Sequence, residues 1–307
     1  MTTIGTSAFY ENAIANLNKL STSTGTLQQQ ISTGNRLTHS YDDPLAAAQM
    51  RQMQAADTLS AAVTTNTTLA NTTLTQTDST LSQLSSVISN IQTLATQGAT
   101  DTMNAADKAN IGKEIGSYYN TLVTLMNTKD AYGNYLFSGS NSTQAYTQDA
   151  SGNATYTGGT APGAISLGGS MSVTPSVTGP EVLNFTNADG SSGDLLSTVK
   201  ALSDGLQNGT LTSDQMNASG GTFDQLNSAL DQLTTTQTVI GSRLSLISTA
   251  QTIQTAASTS RATVEQDVGG TNLTTAAAQL TQQMTILQAS QASFSKLASL
   301  SLFTYLS

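Results

Sequence analysis

The chain of 307 residues has no cysteine and no tryptophan. Without cysteine, disulfides and thiolate metal sites are excluded. Charge is scarce as well. Charged residues make up 9% of the chain, against roughly 25% in an average soluble protein, and Ser, Thr, Asn and Gln carry the polarity instead. The balance is 19 acidic to 10 basic residues, a formal net charge of -9. Such a chain has no positive footprint for neutralising phosphates, so a nucleic-acid partner is not expected. An anionic membrane surface is equally unfavourable. No run is long or apolar enough to span a bilayer, so no membrane insertion is expected either. Residues 1–9 lack a basic region followed by an apolar core, so no cleavable secretory signal is visible. That leaves the cytoplasm, or an export route that reads no cleaved signal.

Glycine and proline are missing from one long stretch, Leu45 to Gln97, although the chain holds 24 glycines. Within it Leu59, Val63, Ala70, Leu84, Val87, Ile91 and Leu94 recur at spacings that mark one face of a helix. At about 1.5 Å per residue such a helix spans roughly 80 Å. Asp43 stands where an N-cap carboxylate accepts the first free N–H groups, and Pro44 suits the first helical position. Gly98 is the expected stop.

Before this rod, Tyr10, Leu17 and Ile31 (broken by Thr24) and Ala13, Leu20 and Leu27 form rows with a seven-residue repeat, the mark of a coiled-coil seam. Gly34 and Asn35 end it. After the rod, Asn104 caps a second helix with Ile111, Ile115, Tyr118, Leu122, Leu125 and Met126 on one face. From Ser138 to Gly193 the chain turns rich in Gly, Ser and Thr and holds Pro162, Pro175 and Pro180, three of its four prolines. Ala164–Leu167 and Val182–Phe185 read there as short strands between turns. Helical spacing resumes at Leu195 to Leu206, and again from Phe223 to Val264, a second long helix that returns along the first. In the last segment Leu273, Leu280, Leu287 and Phe294 lie seven apart. Lys296 is its one charged side chain from Val268 onward. Both ends therefore carry an apolar seam and an opposite face almost without charge, whereas a solvated helix normally has a charged outer face. Ends of this kind are expected to order by packing against copies of themselves or relatives. An ordinary intramolecular bundle is the alternative.

Three separated segments, ISTGNRLTHSYDDPLAAAQMR (Ile31 to Arg51), NTKDAYGNYLFSGS (Asn127 to Ser140) and LQASQASFSKLASLSLFTYL (Leu287 to Leu306), resemble in order the hook-associated protein 3 family, the FlgL-type hook–filament junction proteins of the bacterial flagellin superfamily. The resemblance leaves out residues 145–193. It implies a mainly α, flagellin-like layered axial subunit: a long antiparallel helical rod with coiled-coil termini and a small β-rich inserted domain. Residues 1–42 with 270–307 would form an inner tube, 43–137 with 194–269 the helical rod, and 138–193 an outer insertion. The implied function is that of a structural adaptor, exported without a cleaved signal through the flagellar type III route. It would assemble outside the cell between hook-associated protein 1 and flagellin. A cytoplasmic export chaperone would bind the C-terminal helix. A flagellin is the nearest alternative, and an adhesin acting through the insertion a more distant one.

No catalytic site is expected. Asp42 and Asp43 form an adjacent carboxylate pair, but in front of Pro44 they read as caps rather than as an acid–base pair. His39 is the sole histidine and lacks partner ligands for a metal. Gly158-Gly159 and Gly168-Gly169 lack the Gly-Lys-Ser/Thr that would make a phosphate loop. No cofactor is implied. The residues expected to carry function are assembly anchors: Leu17, Leu20, Leu27 and Ile31 on one seam, Leu280, Leu287, Phe294 and Leu297 on the other, and Leu302, Phe303, Tyr305 and Leu306 as a terminal apolar plug.

Overall fold

A computed structural model of the chain describes residues 2–141, 143–187 and 189–305, with side chains described between residues 8 and 296. In order, the elements are α1 (Thr2–Thr33), α2 (Pro44–Gly98), α3 (Ala105–Met126), β1 (Tyr146–Gln148), β2 (Ala154–Tyr156), β3 (Ile165–Gly168) and β4 (Met171–Val173). There follow α4 (Gly179–Leu183), β5 (Asn184–Thr186), β6 (Ser192–Asp194), α5 (Leu195–Asn208), α6 (Ser213–Asn217), α7 (Thr222–Gly269) and α8 (Leu273–Tyr305). The expected class holds: mainly α, with a small antiparallel β region. Two compact units form, one of residues 1–59 with 256–307, the other of residues 60–255.

In the second unit, α2 buries Thr67, Ala70, Leu74, Thr77, Leu81, Leu84, Ile88, Ile91 and Ala95. The steps alternate between three and four, a regular heptad seam. Leu59, expected on this face, is instead 70% exposed, and Leu74, Leu81, Ile88 and Ala95 complete the row. Leu59 falls one position off this rhythm, which runs back from Thr67 through half-buried Val63 and Ser60. Thr67 and Thr77 occupy seam positions because their hydroxyls donate to the carbonyls of Val63 at 2.7 Å and Thr73 at 2.8 Å, one turn back on the same helix. Once that bond is made, each side chain packs as a β-branched apolar group. The facing helix α7 buries Leu226, Ala229, Leu233, Thr236, Ile240, Ile247 and Ala250 in the same rhythm. Gln92 reaches Asn227, Gln237 reaches Ser82, and Gln254 reaches Ser60, so α2 and α7 run antiparallel. Thr77→Val is therefore expected to change stability by less than about 1 kcal/mol, whereas Leu81→Ala costs about 2–5 kcal/mol. Urea unfolding followed by circular dichroism checks both.

The pair α3 and α5 crosses more closely. A Cβ on Gly112 would stand 2.8 Å from the Ser203 carbonyl oxygen and 2.9 Å from the Gln207 nitrogen, and one on Gly116 would stand 3.1 Å from Ser203 Oγ. Ser203 Oγ donates to the Gly112 carbonyl at 2.8 Å across this contact.

The β region consists of three separate two-stranded hairpins, β1–β2, β3–β4 and β5–β6. Two five-residue turns, Asp130–Asn134 and Asp149–Asn153, are built alike. In each the aspartate N–H donates to the carbonyl of the fifth residue, the glycine N–H donates back to the aspartate carbonyl, and the carboxylate accepts from the third and fifth N–H groups. Gly133 and Gly152 take φ of 86° and 80°, the left-handed position such loops require. Between β5 and β6, Asn187 and Ser191 repeat the backbone closure, and Gly190 takes φ of 84°. Val182 and Leu183, expected in a strand, end α4 instead, because Thr178 and Glu181 form a capping box that starts a helical turn there.

The hairpins are fastened to the helices by side chains that replace backbone partners. Tyr119 on α3 donates to the Gly152 carbonyl at 2.7 Å and accepts from Ala154 N–H at 2.8 Å. Asn127 exchanges two hydrogen bonds of 2.9 Å with the Tyr146 backbone. Arg243 on α7 donates to the carbonyls of Thr174 and Ser176. Phe137, Tyr146, Leu167, Val173, Val182 and Phe185 share one core with α2, α3, α5 and α7.

Candidate assembly interface

In the first unit α1 packs on α8. Neither helix has an acidic first turn or a basic last turn. The Tyr10 and Phe294 rings meet edge to face, with centroids 5.6 Å apart. Leu17, Leu20 and Phe294 line one groove of about 400 Å3 together with Phe9 and Ile286. Of the anchors read from the sequence, Leu27 is buried; Leu17, Leu20, Ile31, Leu280, Leu287 and Phe294 are half-buried. Leu306 lies outside the described residues, and the side chains of Leu297, Leu302, Phe303 and Tyr305 lie outside the described side chains. A pair whose seam stays half open cannot complete an apolar interior by itself.

Beside the seam stand apolar side chains that the heptad rows did not single out. Phe9 is 51% exposed, Ile14 48% and Ile286 43%. They fall one position off the seven-residue rows, so a search confined to those rows passes over them. Helical spacing points to Ile14 alone, three residues before Leu17; Ile286 stands next to Leu287 with no such signal. Charge is also divided unevenly between the units. Acidic residues exceed basic ones by one in the first unit and by eight in the second, together the net -9 of the chain. Close approach of two copies through the first unit therefore meets little repulsion.

The connector from α1 to α2 is joined to the one from α7 to α8. Arg36 N–H donates to the Gly269 carbonyl at 2.7 Å, Thr271 N–H donates to the Gly34 carbonyl at 2.8 Å, and Asn35 bridges Gly270. The Arg36 guanidinium donates to the Val268 carbonyl at 2.9 Å and to Asp43 Oδ2 at 3.2 Å. Asp43 Oδ1 accepts from Ala46 N–H at 3.1 Å, and Pro44 is the first residue of α2. Asp42 folds inward: its Oδ2 accepts from the N–H groups of His39 at 2.7 Å and Thr38 at 3.1 Å, and from the Thr38 hydroxyl at 2.9 Å. The sequence pointed to the aspartates here, but not to Arg36.

Both carboxylates are thus committed to donors. The His39 N–H and the Thr38 hydroxyl hold the Asp42 carboxyl below its ordinary value, and the Ala46 N–H and Arg36 do the same for Asp43. A carboxyl depressed in the folded state contributes stability that is present above its unfolded pKa, about 4, and is lost as pH falls through the folded value. Amide protection at residues 36–47 is accordingly expected to hold at neutral pH and to drop below about pH 4. Hydrogen exchange across an acid titration, with Asp42→Asn removing part of the drop, checks this.

His39 stacks on Tyr41 with ring centroids 4.9 Å apart, and its Nδ1 is 3.1 Å from the Thr38 hydroxyl. Among the described residues no group of His, Cys, Asp and Glu could hold a metal, and no helix is long and apolar enough to cross a membrane. Gly158 and Gly159 lie closely against the side chains of Tyr156 and Ser140; these glycines allow close packing of a loop.

Comparison with known proteins follows the same lines. The family model for the bacterial flagellin N-terminal helical region matches residues 4–142. Flagellar hook-associated protein 3 of Escherichia coli is 27% identical over 111 residues, 36% of this chain and 35% of that protein. Its counterpart in Salmonella typhimurium is 24% identical over 136 residues, 44% of this chain and 43% of that protein. The chain thus aligns with less than half the length of these curated relatives. Among solved structures, flagellar hook-associated protein 3 of Legionella pneumophila superposes with a TM-score of 0.65 at 15% identity, covering 71% of this chain and 98% of that one. FlgL of Xanthomonas campestris gives 0.60 at 15% identity, covering 69% and 98%. In sequence the chain resembles the FlgL-type hook-associated proteins of the flagellin superfamily, and it has their fold.

Proposed function

We propose that the chain is a structural axial protein of the bacterial flagellum, an adaptor at the hook–filament junction. The observation that carries this reading is the half-open apolar seam of α1 and α8, flanked by exposed Phe9, Ile14 and Ile286 in the weakly charged unit. Copies packed side by side supply the walls that one pair lacks, burying apolar area at about 25 cal/mol per Å2. In this reading residues 1–42 with 270–307 form the inner tube, 43–137 with 194–269 the helical layer, and 138–193 the outer part. Leu17, Leu20, Leu27, Ile31, Leu280, Leu287, Phe294 and Leu297 are anchors, and Leu302, Phe303, Tyr305 and Leu306 close the end. Neighbours in the axis are further copies, hook-associated protein 1 and flagellin, outside the cell. A cytoplasmic chaperone holds the C-terminal helix before export. The role is mechanical rather than catalytic, in keeping with relatives that are structural proteins of the flagellum.

Deleting residues 302–307 is expected to leave the second unit folded and to abolish filament attachment, read as motility and as filaments retained on cells. Normal filament retention in that truncation refutes the reading. A flagellin is the second reading, favoured by the match to the flagellin N-terminal region; the hook-associated relatives favour the adaptor. Purified chain that grows long filaments by itself supports flagellin, whereas growth confined to existing ends supports the adaptor.

A further inference from the structure

The α1–α8 pair is weakened at one level along its length. Thr24 is buried in the seam, 7% exposed, but its hydroxyl turns back to the Leu20 carbonyl of its own helix at 2.8 Å. Gln283 on α8 has a buried Oε1 that accepts no hydrogen bond. Counting inward from the Tyr10–Phe294 ring contact at one end and the Asn35–Gly270 bridge at the other puts Thr24 opposite the turn of α8 that holds Leu280 and Gln283. Next to Thr24 lies Gly25, in the interior of α1, with nothing within 4 Å of where a Cβ would be. Glycine inside a helix weakens it, and here no close approach requires one. Two different defects, an unpaired buried acceptor and a glycine without a packing role, therefore meet at one level.

We propose that Gly25 and Gln283, at the level of Thr24, form a weak layer that keeps the α1–α8 pair openable in the free chain. This inference rests on the reading of α1 and α8 as the assembling pair. It adds that the free pair is held back from its most stable form, so that it can rearrange against neighbouring copies.

The test uses the full chain. Gly25→Ala touches nothing and is expected to slow amide exchange in α1 and α8 of the free chain about fivefold. Gln283→Leu is expected to slow it as well. Gln283→Glu, nearly identical in shape, is expected to speed exchange at neutral pH, where its carboxylate is charged, and to recover as acid protonates it. Both stabilised variants are expected to add to isolated hooks more slowly than wild type. Unchanged exchange in Gly25→Ala and Gln283→Leu overturns the weak layer. Slower exchange with addition as fast as wild type overturns its role in assembly. Wild-type chain that fails to add to hooks refutes the junction reading, and the exchange arm still decides whether the layer is weak.

Discussion

Ile14→Glu and Ile286→Glu are each expected to leave the free chain folded and to abolish its assembly. Both side chains are about half exposed in the single chain, so a charge there stays in water, and substitutions of this kind usually change stability by about 0.5 kcal/mol or less. In the proposed assembly the same positions would lie where neighbouring copies close over the seam. A carboxylate caught there without a partner costs about 3–5 kcal/mol, or roughly two to four orders of magnitude in each association step. Using one sign at both positions prevents the variants from pairing with each other. The measurement compares thermal unfolding of the monomer with attachment to hooks. Unchanged attachment in both variants would mean that this face is free in the flagellum, and the proposed packing would be wrong. A lower unfolding temperature with attachment intact would place the two isoleucines in the fold of the single chain instead.

Phe137→Ala is expected to destabilise the second unit by about 3–5 kcal/mol. Phe137 is fully buried where the hairpins meet the helices. Its carbonyl accepts from Gly179 N–H at 3.0 Å and from the Tyr156 hydroxyl at 3.3 Å. The cavity left by the ring therefore opens beside the backbone that holds α4 and β2 in place. If residues 138–193 were a loosely tethered ornament, truncating Phe137 would loosen them and leave the helical transition unchanged. The shared core predicts a single transition that moves as a whole. Chemical unfolding read both by helical ellipticity and by tyrosine fluorescence separates the two outcomes.

The long helices could be read from the sequence because their apolar residues keep a helical period and their ends carry recognisable punctuation. Pro44 starts α2, Gly98 ends it, and Gly269-Gly270 separates α7 from α8. What could not be read was which rows of those helices are buried. Counting apolar residues gave Leu59 a place on the α2 seam and gave Thr67 and Thr77 none, because hydropathy cannot know that a hydroxyl is satisfied by its own helix. The α3–α5 contact was equally hidden: Gly112 and Gly116 interrupt an apolar pattern, and their use is visible only once Ser203 stands against them. In the hairpin region Val182 and Leu183 have strand-like side chains, and the capping box at Thr178 and Glu181 overrode that propensity. At the candidate interface the seven-residue rows were legible, but the exposed Phe9, Ile14 and Ile286 beside them were not. Which side of a helix pair remains open depends on how the partner lies across it.

The threonines that turn their hydroxyls back onto their own helices have one more effect. To water such a side chain still offers oxygen lone pairs, so a surface of threonine stays wettable without charge. To a neighbouring helix it offers a methyl group and asks for no hydrogen bond in return. A surface with both properties can be dissolved one moment and tightly packed the next, with no polar atom stranded by the change. For a chain with so few charges, that duality would suit the same helices both to water and to the proposed packing between copies.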